Sequence, residues 1–207
     1  MKAASFYHAY LHGDAWPSIV AEHIEALAGF TGPVTVGLMG SRPERKRAVQ
    51  MFDAVGQDVN FVVLTGKWEH DTLELVRQYA ASNEGAVLYS HAKGASQLTE
   101  FNDRWRRSMQ HYVVEGWQHC VEALEDGYDA VGCHWLHPDE FGLAMGDVPF
   151  FGGNYWMATC EYLRTLPPVP TEDRFGAERW IGLGNPRVLD FAPGWPGDGV
   201  FYQKVAA

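Results

Sequence analysis

Residues 85–94 read Gly-Ala-Val-Leu-Tyr-Ser-His-Ala-Lys-Gly, and the reading of the fold starts there. Gly85-Ala86-Val87-Leu88 is a short uninterrupted apolar run, the pattern of a strand covered on both faces. The run then delivers His91, Lys93 and Gly94 in quick succession. Ionisable side chains at the end of a core strand imply that this end meets something polar.

Upstream, the same pattern repeats. Ser5 to Leu11 alternates aromatic and small residues and reads as a first strand. Trp16-Pro17-Ser18 opens a helical pattern through Ile19, His23, Ile24 and Leu27, which Gly29 and the Thr31-Gly32-Pro33 turn stop. Val34 to Met39 is a second strand ending at Gly40-Ser41, with a helix through Ala48, Met51, Phe52 and Val55 behind it. Asn60 to Leu64 is a third strand, followed by a helix from about His70 to Ala81. Apolar strands alternating with amphipathic helices predict an α/β fold with a mostly parallel, Rossmann-type central sheet flanked by helices. Ligands of such sheets bind beyond the carboxyl ends of the strands. That places His91, Lys93 and Gly94, Gly40 and Ser41, and His12-Gly13-Asp14 first among candidate site residues.

The second half differs in texture. Leu98, Phe101, Trp105, Met109, Tyr112, Val113, Trp117, Cys120 and Leu124 recur at three- and four-residue steps, which predicts one long helix with an apolar stripe. Tyr128 to Cys133 reads as a fifth strand. Phe150 to Ala158 reads as a strand with an unusual double glycine, and Glu172 to Ile181 as a helix. The last ~25 residues, rich in Gly and Pro, are expected to wrap the surface. No repeat or linker divides the chain. A single domain over 1–207 is expected, with residues 1–95 as a nucleotide-binding half and 96–207 as a mixed acceptor and sugar half.

The 207 residues carry a formal net charge of −10, which argues against an extended DNA-binding face. The basic runs Arg42, Arg45, Lys46, Arg47 and Arg104, Arg106, Arg107 read as solvated helix faces. The 8 Trp residues suit core packing and ligand walls alike. Cys120, Cys133 and Cys160 lack metal or redox spacing and read as buried thiols of a reducing compartment. No secretory leader stands at Met1, and no run approaches ~18 apolar residues, so no membrane span and a cytoplasmic location are expected.

The chain resembles small bacterial and phage glycosyltransferase-like proteins, whose usual wording is YLHTKG, GNFWW and AE.WI. The resemblance rests on Tyr89-Ser90-His91-Ala92-Lys93-Gly94, on Trp105-Arg106-Arg107-Ser108-Met109 and on Tyr128 to Gly132. It continues through Phe151-Gly152-Gly153-Asn154-Tyr155-Trp156 and Arg174-Phe175-Gly176-Ala177-Glu178-Arg179-Trp180-Ile181. It implies a GT-A-like fold and transfer of a sugar from a nucleotide-diphosphate sugar, such as a UDP-sugar, to a hydroxyl of a glycan, a protein or a modified nucleobase. Enzymes of that fold end the fourth strand in Asp-x-Asp, whose carboxylates hold Mn2+ or Mg2+ against the departing diphosphate. This chain has His91-Ala92-Lys93 at about that place, so a fixed cation would replace the metal or supplement it, and Mn2+ or Mg2+ stays open as a cofactor. A lysine can neutralise phosphate directly, and Gly94 would let the backbone approach it.

The resemblance further implies that Glu178 is the general base of an inverting transfer, although Arg174 at i−4 offers it a surface ion pair instead. Gly152 and Gly153 would let the chain pass close to the sugar. Asn154 would bond sugar hydroxyls, Trp156 would form an apolar wall, and Trp105 and Arg174 would touch substrate. His8, Tyr10 and Asp14 are candidates for base or ribose contacts. Glu69 and Thr72 read as an N-terminal helix cap.

Two other functions stay open at this point. One is a non-catalytic nucleotide- or glycan-binding module on a degenerate GT-A fold. The other is a metal-dependent enzyme using the loop His134 to Glu140, where His134, His137, Asp139 and Glu140 lie close in sequence. There is no GxSxG, P-loop or GxGxxG, which removes the main supports of hydrolase, NTPase and dinucleotide readings.

Overall fold

A computed structural model describes residues 1–54, 56, 58–66, 68–139, 146–172 and 174–196. The amino-terminal part runs β1 (Ala3–Tyr10), α1 (Trp16–Ala26), β2 (Val34–Met39), α2 (Arg42–Asp53), β3 (Val59–Val63), α3 (His70–Ser82) and β4 (Ala86–His91). These are the alternating units the sequence predicts; Val55, expected in the second helix, lies outside the described residues. Then follow α4 (Glu100–Met109), a π-helical segment (Gln110–Glu115), α5 (Trp117–Glu125), β5 (Ala130–Gly132), β6 (Trp135–Leu136), β7 (Phe150–Phe151) and β8 (Trp156–Thr159). The chain continues with α6 (Cys160–Thr165), α7 (Gly176–Arg179), a 3-10 turn (Trp180–Gly182) and β9 (Val188–Asp190).

The main sheet has seven strands in the order β3-β2-β1-β4-β8-β5-β9. β1 pairs parallel with β2 and β4, and β2 with β3. β8 runs antiparallel between β4 and β5, while β9 pairs parallel with β5. β6 and β7 form a separate antiparallel ribbon. The fold is α/β and GT-A-like, with a mostly parallel sheet and a mixed far half.

Both faces of the sheet's central strands are buried, which explains the continuous apolar runs of β1, β2 and β4. Successive side chains point to opposite faces. Tyr7 and Ala9 of β1, Ala86 and Leu88 of β4 and Met157 of β8 pack in one cluster with α1, α2 and α5. Ala4 and Phe6, Val87 and Tyr89, and Trp156 and Ala158 pack in the other with α3, α6, Ala177 and Trp180.

Several sequence-level boundaries are corrected. The expected single helix from Leu98 to Leu124 is broken. Its middle widens into π geometry and ends at Gly116, whose amide bonds back to the His111 carbonyl at 3.0 Å. A Cβ at Gly116 would sit 2.6 Å from the Tyr112 carbonyl oxygen, so glycine permits the break. The expected Phe150–Ala158 strand is likewise two strands. Between them Gly153 at φ 85 and Asn154 at φ 55 turn the chain through left-handed backbone. The expected helix Glu172–Ile181 shrinks to α7 and the 3-10 turn, wedged where Gly176 and Gly182 pass against the carbonyls of Pro170 and Pro149. The carboxyl-terminal segment contributes β9 to the sheet edge, and residues 197–207 lie outside the described residues. Cys120, Cys133 and Cys160 are buried free thiols.

One buried ring sets an acid sensitivity. His23 of α1 stacks on Tyr7 with centroids 3.7 Å apart, and neither ring nitrogen has a hydrogen-bond partner. Burial lowers its pKa from 6.5 to about 3. The folded state therefore resists a proton that the unfolded chain accepts, and stability falls as pH drops from about 6.5 to about 3. His23→Phe keeps the stack and removes the titration. In urea denaturation over that window, the wild type should lose roughly 1.4 kcal/mol more per pH unit than the variant. Parallel pH profiles would show that His23 is not the cause.

Candidate active site

From β1 the chain moves outward through β2 to β3, then returns to the other side of β1 as β4. The connections leaving the carboxyl ends of β1 and β4 therefore diverge, and a crevice opens between them. A cleft of about 290 Å³ lies there. Its walls come from β1 (His8, Tyr10), the β3–α3 connection (Trp68, Glu69), the end of β4 and beyond (His91, Ala92, Lys93, Ser96), and the α7 region (Arg174, Glu178).

Its charged groups are balanced against burial. The Lys93 ammonium rests 3.8 Å from the centre of the Trp105 ring, a cation–π contact. Burial lowers the Lys93 pKa, and the carboxylates of Glu178 and Glu69 oppose that. Glu178 is shifted the other way. Burial raises its pKa, with Lys93 and Arg174 pulling it down and Glu69 pushing it up. Arg174 is exposed and lays its guanidinium 4.9 Å from the Phe175 ring centre. No ion pair joins Arg174 to Glu178, although their spacing allows one. The loop after β4 is held from below: Arg106, 1% exposed, bonds Glu22, Asp103 and the Lys93 carbonyl.

Glu69 is the residue that sequence reading missed. It stands at the start of α3, yet its side chain makes no cap hydrogen bond. It turns into the cleft, where Oε2 accepts from the Tyr89 hydroxyl and from Asn154 Nδ2, both at 2.8 Å. Oε1 lies 3.3 Å from His91 Nδ1. Burial alone would raise its pKa; the charges of His91 and His8 and these two hydrogen bonds outweigh burial and hold it down. Thr72 is no cap either: its hydroxyl bonds His8 Nδ1 at 2.8 Å. Burial lowers the His8 pKa to about 4. The sequence signal was present, since Trp68-Glu69-His70 sits at the same carboxyl edge as His91.

Other expected site residues lie elsewhere. Asn154 and Trp156 are 0% exposed, so they support the cleft from behind and do not line it. The Trp156 indole donates to Asn154 Oδ1 at 2.8 Å, which commits the Asn154 amide to donate to Glu69. Gly152 and Gly153 serve packing: a Cβ at Gly153 would meet Met109 Sδ at 2.6 Å, and one at Gly152 would meet Leu136 Cδ1 at 2.8 Å. Gly40 packs against Leu11, and Ser41 caps α2 in a box with Glu44. Asp14 is exposed and outside the cleft lining. Gly94 adopts φ 90 and follows the cleft-lining Lys93.

His134 points inward, its Nδ1 bonded to the Gly194 carbonyl at 3.1 Å. His137 and Asp139 are exposed, and Glu140 lies outside the described residues. Among the described residues no three His, Cys, Asp or Glu side chains are grouped to hold a metal ion. The described cleft residues therefore form no three-ligand cage for the Mn2+ or Mg2+ of the resemblance, and Glu69 and Glu178 are the carboxylates that line the cleft. No helix among the described residues is long and apolar enough to cross a membrane.

The family model described as "Domain of unknown function (DUF8361)" matches residues 6–180, and the chain belongs to that family. No curated protein matches the sequence. Solved structures share the fold. A candidate nucleotide-diphospho-sugar transferase from Desulfovibrio desulfuricans G20 superposes with TM-score 0.52 at 13% identity, covering 93% of this chain and 81% of that one. The mannosyltransferase PcManGT from Pyrobaculum calidifontis, solved with GDP-Man and Mn2+, gives 0.51 at 15% identity, covering 92% and 55%. Residues 1–349 of TarS from S. aureus give 0.51 at 11% identity, covering 93% and 59%. The chain thus spans little more than half of the last two.

Gly37 shows how the sheet makes room for the site. It pairs with His8 in register, and a Cβ there would lie 2.5 Å from Thr72 Oγ1 and 2.8 Å from Leu64 Cδ1. Gly37→Ala should push Thr72 off His8 and destabilise the fold by about 1–3 kcal/mol in chemical denaturation. An unchanged midpoint and an unmoved His8 ring resonance would refute that packing.

Proposed function

We propose that this family member is a glycosyltransferase that moves a sugar from a nucleotide-diphosphate sugar to a hydroxyl acceptor on a glycan, a protein or a modified nucleobase. One observation carries the reading: Lys93 and Glu178, from distant parts of the sequence, face one cleft at the crevice between β1 and β4. The GT-A-like fold shared with sugar-nucleotide transferases supports it.

In this reading the donor diphosphate lies against Lys93, with Arg174 at the rim. These two cations would take over the charge balance that a metal supplies at other GT-A sites. Lys93 acts as a point charge with three donors, and its partial burial strengthens the attraction. Glu178 takes the proton from the acceptor hydroxyl. The acceptor oxygen forms its bond to the anomeric carbon as the bond from that carbon to the diphosphate oxygen breaks. The electron pair leaves with the nucleoside diphosphate, whose charge Lys93 and Arg174 balance. A single displacement of this kind inverts the anomeric carbon. Burial that raises the Glu178 pKa makes it a stronger base once ionised, the direction general-base catalysis needs. His8 and Tyr10 line the β1 wall, where base or ribose contacts are expected.

Lys93→Ala should weaken binding of the nucleoside diphosphate about tenfold or more by calorimetry and leave the melting temperature near that of the wild type. Unchanged affinity removes Lys93 from the donor site. Glu178→Gln should keep nucleotide affinity while transfer falls by about 10²–10⁴-fold. Full transfer activity in that variant excludes Glu178 as the base. A folded wild type that binds the nucleotide yet transfers nothing to any acceptor hydroxyl would favour a non-catalytic binding module.

A further inference from the structure

We propose that Glu69 is a positioning residue: it locks the end of β4 to the Gly152–Asn154 turn, and a glutamine in its place would do the same work. The proposal rests on the transfer reading of the cleft for its consequence and on hydrogen-bond geometry for its substance.

Three residues meet at this carboxylate. Tyr89 comes from the body of β4, His91 from its end, and Asn154 from the turn between β7 and β8. The directions of the bonds are fixed by chemistry. The indole of Trp156 can only donate, so Asn154 presents Oδ1 to it and Nδ2 to Glu69. The Gly153 carbonyl can only accept, so His91 Nε2, 2.8 Å away, is the donor there. The Tyr155 hydroxyl closes the loop by donating to the His91 carbonyl. His91 is thus bonded through its side chain and its backbone to the same turn. Glu69 stands behind both its ring and Asn154.

That turn needs holding. Gly153 and Asn154 both have positive φ, a conformation costly for a non-glycine residue unless its surroundings enforce it. Asn154 is wholly buried, so the loss of its partner would leave a polar group stranded. His91 and Lys93 leave β4 together, so the same contacts set the direction in which Lys93 enters the cleft.

The two hydrogen bonds at Oε2 are internal and neither requires a negative charge; Oε1 pairs with His91 Nδ1 only when that ring is protonated, and burial favours the neutral ring. A glutamine carbonyl oxygen at the Oε2 position accepts from Tyr89 and Asn154. Its amide at the Oε1 position donates to His91 Nδ1, the ring nitrogen left over once Nε2 is committed to Gly153. A base or a metal ligand would tolerate no such exchange, because a glutamine neither takes a proton nor replaces an anionic ligand.

The test compares Glu69→Gln with Glu69→Ala in the full chain by amide NMR, His91 ring-nitrogen resonances, thermal unfolding and calorimetry with UDP and GDP. In Glu69→Gln the Gly153 and Asn154 amide resonances should stay in place. His91 Nδ1 should show the shift of a hydrogen-bonded acceptor, and nucleotide affinity should stay within about threefold. In Glu69→Ala those amides should move, the melting temperature should drop by about 4 °C or more, and affinity should fall about tenfold. Equal damage in both variants would overturn the proposal, because the charge itself would then be required. An unmoved turn in Glu69→Ala would overturn it as well. The resonances and melting temperatures decide this even if the wild type binds neither nucleotide, an outcome that would count against the nucleotide-sugar reading alone.

Discussion

The carboxyl ends of β1 and β4 lie side by side, and the chain leaves them in opposite directions. That divergence opens the cleft, and the rest of the molecule is arranged to keep it open and lined with charge. Tyr7 and Ala9 alternate with Phe6 and Ala4, so β1 is anchored in both cores. Its pairing with β4 keeps His8 level with His91 in adjacent strands. β8 then joins β4 from the other side and carries the Gly152–Asn154 turn at its start to the same edge. The site is therefore a property of strand order more than of any loop.

The second constraint is electrostatic. Lys93, Glu178, Glu69, His8 and His91 line one cleft. Each charged group loses hydration there and regains it only from its neighbours. That is why the pKa of Lys93 is pulled down and that of Glu178 pushed up. Such opposed displacements in one cleft are what acid–base work and anion binding draw on. The cation on the Trp105 face is held by a soft contact.

Much of this was legible in the sequence. The alternating first half gave its four parallel strands to within two residues at each end, because β1, β2 and β4 are buried on both faces and leave a clear apolar signature, while β3 at the sheet edge is only half-buried. His91, Lys93 and Glu178 fell into one cleft as the strand-end rule and the family resemblance led one to expect. The second half was harder for physical reasons. Its apolar periodicity runs straight through the π segment, since Met109, Val113 and Cys120 stay buried on either side of the break. Strands of two to four residues such as β6, β7 and β9 are too short to show a period. Glu69 had one signal, its place at the carboxyl edge of the sheet, but a polar residue at a helix start also reads as a cap, and its partners are 20 and 85 positions away. Asn154 and Trp156 looked like substrate contacts because polar and aromatic residues at a glycine turn suit sugars equally well. Their total burial assigns them to the support behind the cleft.

The central claim is that this cleft accepts a nucleoside diphosphate on fixed cations. Calorimetric titration of the wild-type protein with UDP, GDP, ADP, CDP and TDP, in chelator and again with Mn2+, addresses it most directly. The account predicts saturable binding of one nucleotide that persists in chelator. Binding that appears only with Mn2+, or no binding of any of the five, would contradict it.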